Sequence, residues 1–355
     1  MSARLDAVRK LLALHDLDAI LVWNLTNVRY LSGFTGSEGA LVITADKALF
    51  LSDSRYATQA AEQLKGFTPV IESQKMPSAV KQLKAARAKR IGFEDGTMTV
   101  EDHARLLGKL ENAQLIGLGS KLDAIRLCKD TGEIAVMRKA AQIAEAGLDA
   151  ALRVLKPGIS ENDVAVELEL TMRREGASAT SFETIIASGP RGALPHGIAS
   201  DKKIAEGELV VIDWGCVYQG YCSDQTVTVA VGEVGEEEKR VYEIVREAQA
   251  AALGGLKAGV ALKDVDKIAR EHIREAGYGD YFGHGLGHGV GREIHEAPRL
   301  SPTSDATAEP GMVVTVEPGI YLPGRFGVRI EDTVVITDQG FDRLTSVDKQ
   351  FTRIG

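Results

Sequence analysis

Residues 155–176 and 256–277 match at a constant offset of 101: Leu155 with Leu256, Lys156 with Lys257, Gly158 with Gly259, Asp163 with Asp264, Val164 with Val265 and Gly176 with Gly277. This repetition constrains the fold strongly, because each copy must build a unit of similar shape. Each copy reads as a helix pair. Ile134, Met137, Ala141, Ala144, Leu148 and Leu152 form an apolar stripe at helical spacing from near Thr131. Pro157-Gly158 ends that helix, and Ser160 with Asp163 resembles a capping pair for a second one running to Gly176. Residues 236–257, then Ala258-Gly259, then a helix ending at Gly277 repeat the plan.

Strands follow each helix pair, and both sets carry acids. Glu206-Gly207-Glu208 leads through Val210, Val211 and Ile212 to Asp213-Trp214-Gly215, with Asp224-Gln225-Thr226-Val227 beyond. Pro310-Gly311-Met312 leads through Val313 to Val316 to Glu317-Pro318-Gly319, with Glu331-Asp332-Thr333-Val334 beyond. Aligned on their glycines, Asp213 falls opposite Glu317, and Asp224 and Glu331 both precede a residue-Thr-Val step. Runs this apolar belong to strands covered on both faces. Acids are depleted in strands, and an unpaired buried charge costs several kcal/mol. One such acid is usually paired with a base or sits at a wet strand end. Four at matched positions call for something positive to hold them. Two α+β halves related by a pseudo-twofold axis would bring them together.

A chain of 355 residues with 44% apolar and 26% charged residues is ordinary globular material for two domains. The net charge of −8 argues against a nucleic-acid or anionic-membrane partner. No apolar run approaches membrane-spanning length, the N-terminus shows no signal-peptide core, and Cys128, Cys216 and Cys222 are few and odd in number. A reduced, cytoplasmic setting is expected. Residues 1–122 alternate helix and strand signals. Leu5, Val8 and Leu12 share a helical face, Asp18 to Trp23 reads as a buried strand, and Gly39 to Ser52 as a hairpin turning at Ala45-Asp46. A helix near Thr58 to Leu64 and strands at Thr68 to Glu72 and Arg90 to Glu94 complete an α/β domain. Gly117 to Lys121 reads as a linker to an α+β domain spanning 123–355.

Phe282 to His295 (FGHGLGHGVGREIH) supplies three histidines, His284, His288 and His295, among glycines that permit close backbone approach to a ligand. It is neither a P-loop nor a Gly-x-Gly-x-x-Gly fingerprint, and Arg299 stands where a zincin helix would need its second histidine. Four carboxylates with imidazole suit Mn, Co, Zn or Fe, and two divalent cations would neutralise them. Two such ions roughly 3.5–4 Å apart activate a water and polarise a carbonyl, which predicts amide or ester hydrolysis. Cys216 and Cys222 read as small packed residues. His196, in Leu194-Pro195-His196-Gly197, is either a substrate-facing donor or a loop histidine without a role.

At this point the chain resembles the creatinase/methionine-aminopeptidase ("pita-bread", M24-type) metallopeptidases, and within them the Xaa-Pro peptidases. The resemblance covers the whole chain. It is carried by Leu194-Pro195-His196-Gly197, by Asp213 and Asp224, by His284-Gly-Leu-Gly-His288 with His295, by Glu317-Pro318-Gly319 and by Arg329-Ile330-Glu331-Asp332. It implies that Asp213 chelates one metal, that His288 and Glu317 chelate the other, and that Asp224 and Glu331 bridge both. Manganese is the favoured metal, with cobalt or zinc as alternatives. It further implies a water nucleophile attacking the scissile carbonyl and Glu317 as proton shuttle. His295 would steady the oxyanion, His196 and His284 would line the proline pocket, and Arg329 would act from behind the ligands. A penultimate proline makes the scissile bond a tertiary amide without N–H. The N-terminal domain is absent from most methionine aminopeptidases and implies a homodimer. Phe34-Thr-Gly-Ser-Glu-Gly-Ala-Leu and Asp53-Ser-Arg55-Tyr56 are similar to the aminopeptidase P branch, so that activity is expected first and a prolidase activity on dipeptides second. A creatinase-like hydrolase or a non-catalytic binding protein on the same fold is a weaker alternative. Asp53 and Arg55 are either a strand-end ion pair or substrate contacts.

Overall fold

A computed structural model describes residues 2–355. It divides into two compact units, the first ending at Arg126 and the second beginning at Leu127.

The first unit is built on a six-stranded sheet in the order Thr68–Ile71, Ala48–Ser52, Ala40–Ile43, Ala19–Val22, Arg90–Phe93, Gln114–Gly117. Alternate side chains of the central strand serve opposite faces. Ile20 and Val22 pack with Val8, Leu12 and Phe50, while Ala19 and Leu21 pack with Leu83 and Leu106. The segment read as a linker is part of this unit. Gln114–Gly117 pairs in parallel with Arg90–Phe93 as an edge strand, and Leu118 and Leu122 are buried in the core beyond it. The boundary expected at residue 122 therefore falls after Arg126, whose Nε donates to Asn27 Oδ1 at 3.0 Å. Asp53 caps a short 3-10 turn and takes two side-chain bonds from Arg55, at 2.9 and 2.8 Å, so these two residues form the local ion pair.

The second unit contains both helix pairs, Thr131–Val154 with Glu161–Arg174 and Glu236–Gly255 with Leu262–Glu275. Asp130 with Glu133 and Ser160 with Asp163 close capping boxes on the first two. The repeat is written into the backbone. Gly158 and Gly259 have φ of 88° and 85°, Gly176 and Gly277 of 107° and 90°, and Gly207 and Gly311 of 81° and 87°. Each matched position needs the left-handed conformation that glycine takes without steric cost. Gly158 N donates to Ile204 O at 2.8 Å, and Gly259 N to Ala308 O at 2.9 Å.

Each helix pair covers its own sheet. The first runs in the order Thr352–Ile354, Gln225–Val231, Glu208–Trp214, Ile185–Ser188. The second runs Glu296–Leu300, Gly287–Gly289, Val313–Val316, Asp332–Ile336, Phe341–Arg343. Glu331 N donates to Thr226 O at 3.1 Å and Thr333 Oγ1 to Asp224 O at 2.6 Å, joining the two halves at the acid-bearing arms. Among the described residues no helix is long and apolar enough to cross a membrane.

Candidate metal centre

Strand alternation aims the acids inward. In Glu208–Trp214, Val210, Ile212 and Trp214 enter the core under the first helix pair, which leaves Asp213 on the opposite face, across from Thr226. In Val313–Val316, Val314 and Val316 enter the core under the second pair, which places Thr315 and the following Glu317 on the other face. Asp224 and Glu331 stand just before the return strands. His288 comes from the short strand Gly287–Gly289, beside Val313–Val316. All nine residues singled out in the sequence line one cavity of about 540 Å³: Asp213, Asp224, His288, Glu317, Glu331, His196, His284, His295 and Arg329.

The centre is a set of acceptors. Oxygens of Asp213, Asp224 and Glu331 lie within 4.8 Å of one another. His288 Nε2 is 3.5 Å from Asp224 Oδ2 and 3.3 Å from Glu317 Oε1. His288 Nδ1 lies 3.1 Å from the Gly289 carbonyl, which can only accept, so Nδ1 carries the proton and Nε2 turns a lone pair toward the carboxylates. Asp213 Oδ1 and Glu331 Oε1 are buried without a hydrogen-bond partner. Arg329 is the one side-chain cation hydrogen-bonded to these acids among the described residues. Its Nη2 donates to Asp213 Oδ2 at 2.5 Å and its Nη1 to Tyr321 Oη at 2.9 Å and Pro195 O at 3.0 Å.

Without a further positive charge the site opposes its own ionisation. Burial raises the Asp224 carboxyl well above its ordinary value, and Glu331 and Asp213 nearby push the same way. Burial raises Glu331 similarly, with Glu317 and Asp213 adding to it. Burial pushes Glu317 up to about 7. The imidazoles move oppositely, burial lowering His288 to about 3 and His284 to about 4. Orphaned carboxylate oxygens, an imidazole lone pair and raised acids fit divalent cations. Asp213, Asp224, His288, Glu317 and Glu331 have the hard-to-borderline donor chemistry that such ions take.

Further contributors were not among the expected site residues, and only Thr226 among them carries a sequence signal. Thr315 Oγ1 accepts from His288 N at 3.0 Å and donates to Glu317 Oε1 at 3.0 Å. Tyr321 Oη bonds both Arg329 and His284 Nε2, the latter at 2.9 Å. Thr226 Oγ1 donates to Glu331 Oε2 at 2.6 Å, and this threonine belongs to the step that both acid arms share. Phe182, Ile185, Ile198 and Ile294 add apolar wall. Gly285 and Gly287 of the glycine run line the cavity, and the run also serves packing. A Cβ on Gly287 would lie 2.0 Å from Thr315 O, and one on Gly289 2.1 Å from Ala297 O, so these glycines let neighbouring strands close up. Cys216 and Cys222 are free and buried, their thiols pushed up by burial to about 11 and about 12, as packed residues.

Comparison with known proteins agrees with this geometry. Residues 135–338 match Metallopeptidase family M24, and residues 4–128 match the Creatinase/Prolidase N-terminal domain. An Xaa-Pro dipeptidase of Pyrococcus furiosus is 40% identical over 352 residues, covering 99% of each chain. The structure of an Xaa-Pro dipeptidase from Bacillus anthracis superimposes with a TM-score of 0.97 at 42% identity, covering 99% of each chain. That of an X-Pro aminopeptidase from Thermotoga maritima gives 0.92 at 38% identity, covering 99% of this chain and 100% of the other. The chain therefore belongs to metallopeptidase family M24, an enzyme family that works with divalent metal ions, and joins a creatinase/prolidase N-terminal domain to a pita-bread catalytic domain.

Proposed function

We propose that the protein hydrolyses Xaa-Pro bonds and that its preferred substrates are Xaa-Pro dipeptides. The convergence of five acceptor side chains on one cavity carries the peptidase reading. Asp213, Asp224, His288, Glu317 and Glu331 would hold two divalent cations, manganese first, with cobalt or zinc as competitors. When bound, such ions supply Lewis acidity for the scissile carbonyl and a nucleophilic water at neutral pH. The chain's own residues do the rest. Glu317, which lines the cavity beside His288, moves a proton from the attacking water toward the leaving prolyl nitrogen. His295 is exposed in the cavity and donates to the carbonyl oxygen as charge develops. His196 and His284 flank the proline ring, and Arg329 holds Asp213 from behind.

Two further residues favour a dipeptide over a longer peptide. Arg299 lies across the strand ladder from His288 and lines the cavity, and its side chain has no hydrogen bond or ion pair among the described residues. Glu183 is an exposed carboxylate in the same wall, also without a partner among the described residues. A dipeptide is a zwitterion that offers a carboxylate to the first and an ammonium to the second. A tripeptide carries its carboxylate one residue further away. The relatives named Xaa-Pro dipeptidase support the same choice. Aminopeptidase P activity, expected first from the sequence, is accordingly the second reading. The Thermotoga maritima X-Pro aminopeptidase keeps it as the competing reading. The complete donor set disfavours a creatinase-like hydrolase or a non-catalytic binding protein.

The test compares an Xaa-Pro dipeptide, its C-terminal amide and an Xaa-Pro-Yaa tripeptide, with manganese and with chelator. The dipeptide should be cleaved fastest, and Arg299→Ala should raise its KM about tenfold or more while leaving the amide little changed. Faster tripeptide cleavage would establish aminopeptidase P activity instead. The reading extends to a homodimer, checked by light scattering, and to residence in a reducing cytoplasm, consistent with three free cysteines.

A further inference from the structure

We infer that Glu161 with Arg191, and Asp266 with Arg270, are paired positioning clamps, one in each half, that hold the loops carrying His196 and His284 against the cavity. Neither pair lines the cavity itself.

Glu161 opens the helix Glu161–Arg174, is 0% exposed, and accepts five bonds from a single loop. Its Oε1 takes Ser188 N and Ser188 Oγ, both at 2.8 Å. Its Oε2 takes Arg191 Nε at 2.9 Å, Ser200 N at 3.2 Å and Ser200 Oγ at 2.6 Å. One carboxylate thus ties both ends of the loop, at Ser188 and Ser200, and its middle at Arg191. Arg191 Nη2 in turn donates to the Ile198 carbonyl. Between the tied ends lie Pro195, His196 and Ile198, which line the cavity. From the cavity side Arg329 Nη1 bonds Pro195 O, so the loop is held on two sides.

The second half reaches the same end with different residues. Asp266 lies in the helix Leu262–Glu275 and is 1% exposed. It accepts Arg270 Nε and Nη2, each at 2.9 Å, and Leu286 N at 2.9 Å. Arg270 then donates to Phe282 O at 2.9 Å and His284 O at 2.7 Å, fixing the backbone that carries His284. Glu161 and Asp266 are not equivalent under the 101-residue offset, since Leu262 stands opposite Glu161 and Ala165 opposite Asp266. A carboxylate on the second helix of each pair, bridged by arginine to a histidine loop, is nevertheless present in both halves. Buried carboxylates this fully bonded are rigid, because loosening one would strand a charge away from water.

The inference rests on His196 and His284 acting on substrate, and its test separates the two ideas. Hydrogen exchange is followed on Glu161→Gln and Asp266→Asn, without substrate. Amides of residues 189–199 should exchange at least about tenfold faster in Glu161→Gln while those of 282–287 keep their rate, and Asp266→Asn should show the reverse. Unchanged exchange of both loops, or equal loosening of both in either variant, would overturn the clamps whatever the enzyme cleaves. On an Xaa-Pro dipeptide, Glu161→Gln should lower kcat/KM by about tenfold in the native background and by less than about twofold in a His196→Ala background, with metal content unchanged. An equal loss in both backgrounds would show that Glu161 does not act through His196. Should Glu161→Gln fail to fold, Ser200→Ala, which removes a single side-chain bond to Glu161, serves in both measurements. A chain that leaves Xaa-Pro peptides intact yet passes the exchange test would refute the proposed substrate and keep the clamps.

Discussion

Thr315 ties the imidazole ligand to a carboxylate with one hydroxyl, taking the His288 N–H and giving its own proton to Glu317. Thr315→Val keeps the shape and leaves a buried N–H without an acceptor. Partners of this kind tune ligands, so metal affinity should fall about 10–100-fold, measured by competition with a chromophoric chelator. Glu317→Ala should be far more severe, nearly abolishing turnover of an Xaa-Pro dipeptide; near-normal rates would remove Glu317 from the chemistry. The acids were legible in the sequence because a carboxylate inside a valine run is costly and therefore conspicuous. Thr315 and Tyr321 were not, because threonine and tyrosine are ordinary strand residues and nothing local marks a hydroxyl that will meet a ligand. Arg299 stands in the sequence only as the residue that rules out a zincin helix, since its use depends on the strand that faces it toward the cavity.

Among the elements, the repeated helix pairs were readable from end to end. Their stripes are long and their stops are glycines at φ between 85° and 107°. Gly158→Ala and Gly259→Ala meet no neighbouring atom within 4 Å, so each should cost about 1 kcal/mol from backbone conformation alone, and the two costs should match. Gly254→Ala, inside the helix Glu236–Gly255 and equally free of neighbours, should instead stabilise by about 0.5–1 kcal/mol. Thermal or denaturant unfolding of the three variants checks both signs. Short elements were harder to read. Gln114–Gly117 is a four-residue edge strand ending in glycine, so its composition resembles a loop and only its pairing with Arg90–Phe93 identifies it. The helices Lys75–Ala85 and Val100–Lys109 are faint in the sequence for a related reason. Each buries only a few side chains, and Leu106 alone is fully buried in the second.

For the molecule as a whole, the duplicated half-domain concentrates negative charge at the join between its copies, and stability should record this. Glu317 rises from an ordinary 4.5 to about 7 in the metal-free fold, and Asp224 and Glu331 rise with it. A carboxyl with a raised folded pKa binds its proton more tightly when folded. Its stabilising contribution is full below about 4.5 and is lost as pH climbs through about 7. The metal-free catalytic unit should therefore melt at progressively lower temperature between these values, and added manganese should cancel the trend. A midpoint that is flat or rises over that window would contradict it. The central claim, that five side chains from both halves hold two divalent cations for Xaa-Pro hydrolysis, is tested most directly by titrating manganese into chelator-stripped protein while following cleavage of an Xaa-Pro dipeptide. The account predicts no cleavage without metal and a rise that saturates near two equivalents per chain. Full activity in the stripped protein, or none at any manganese concentration, would contradict it.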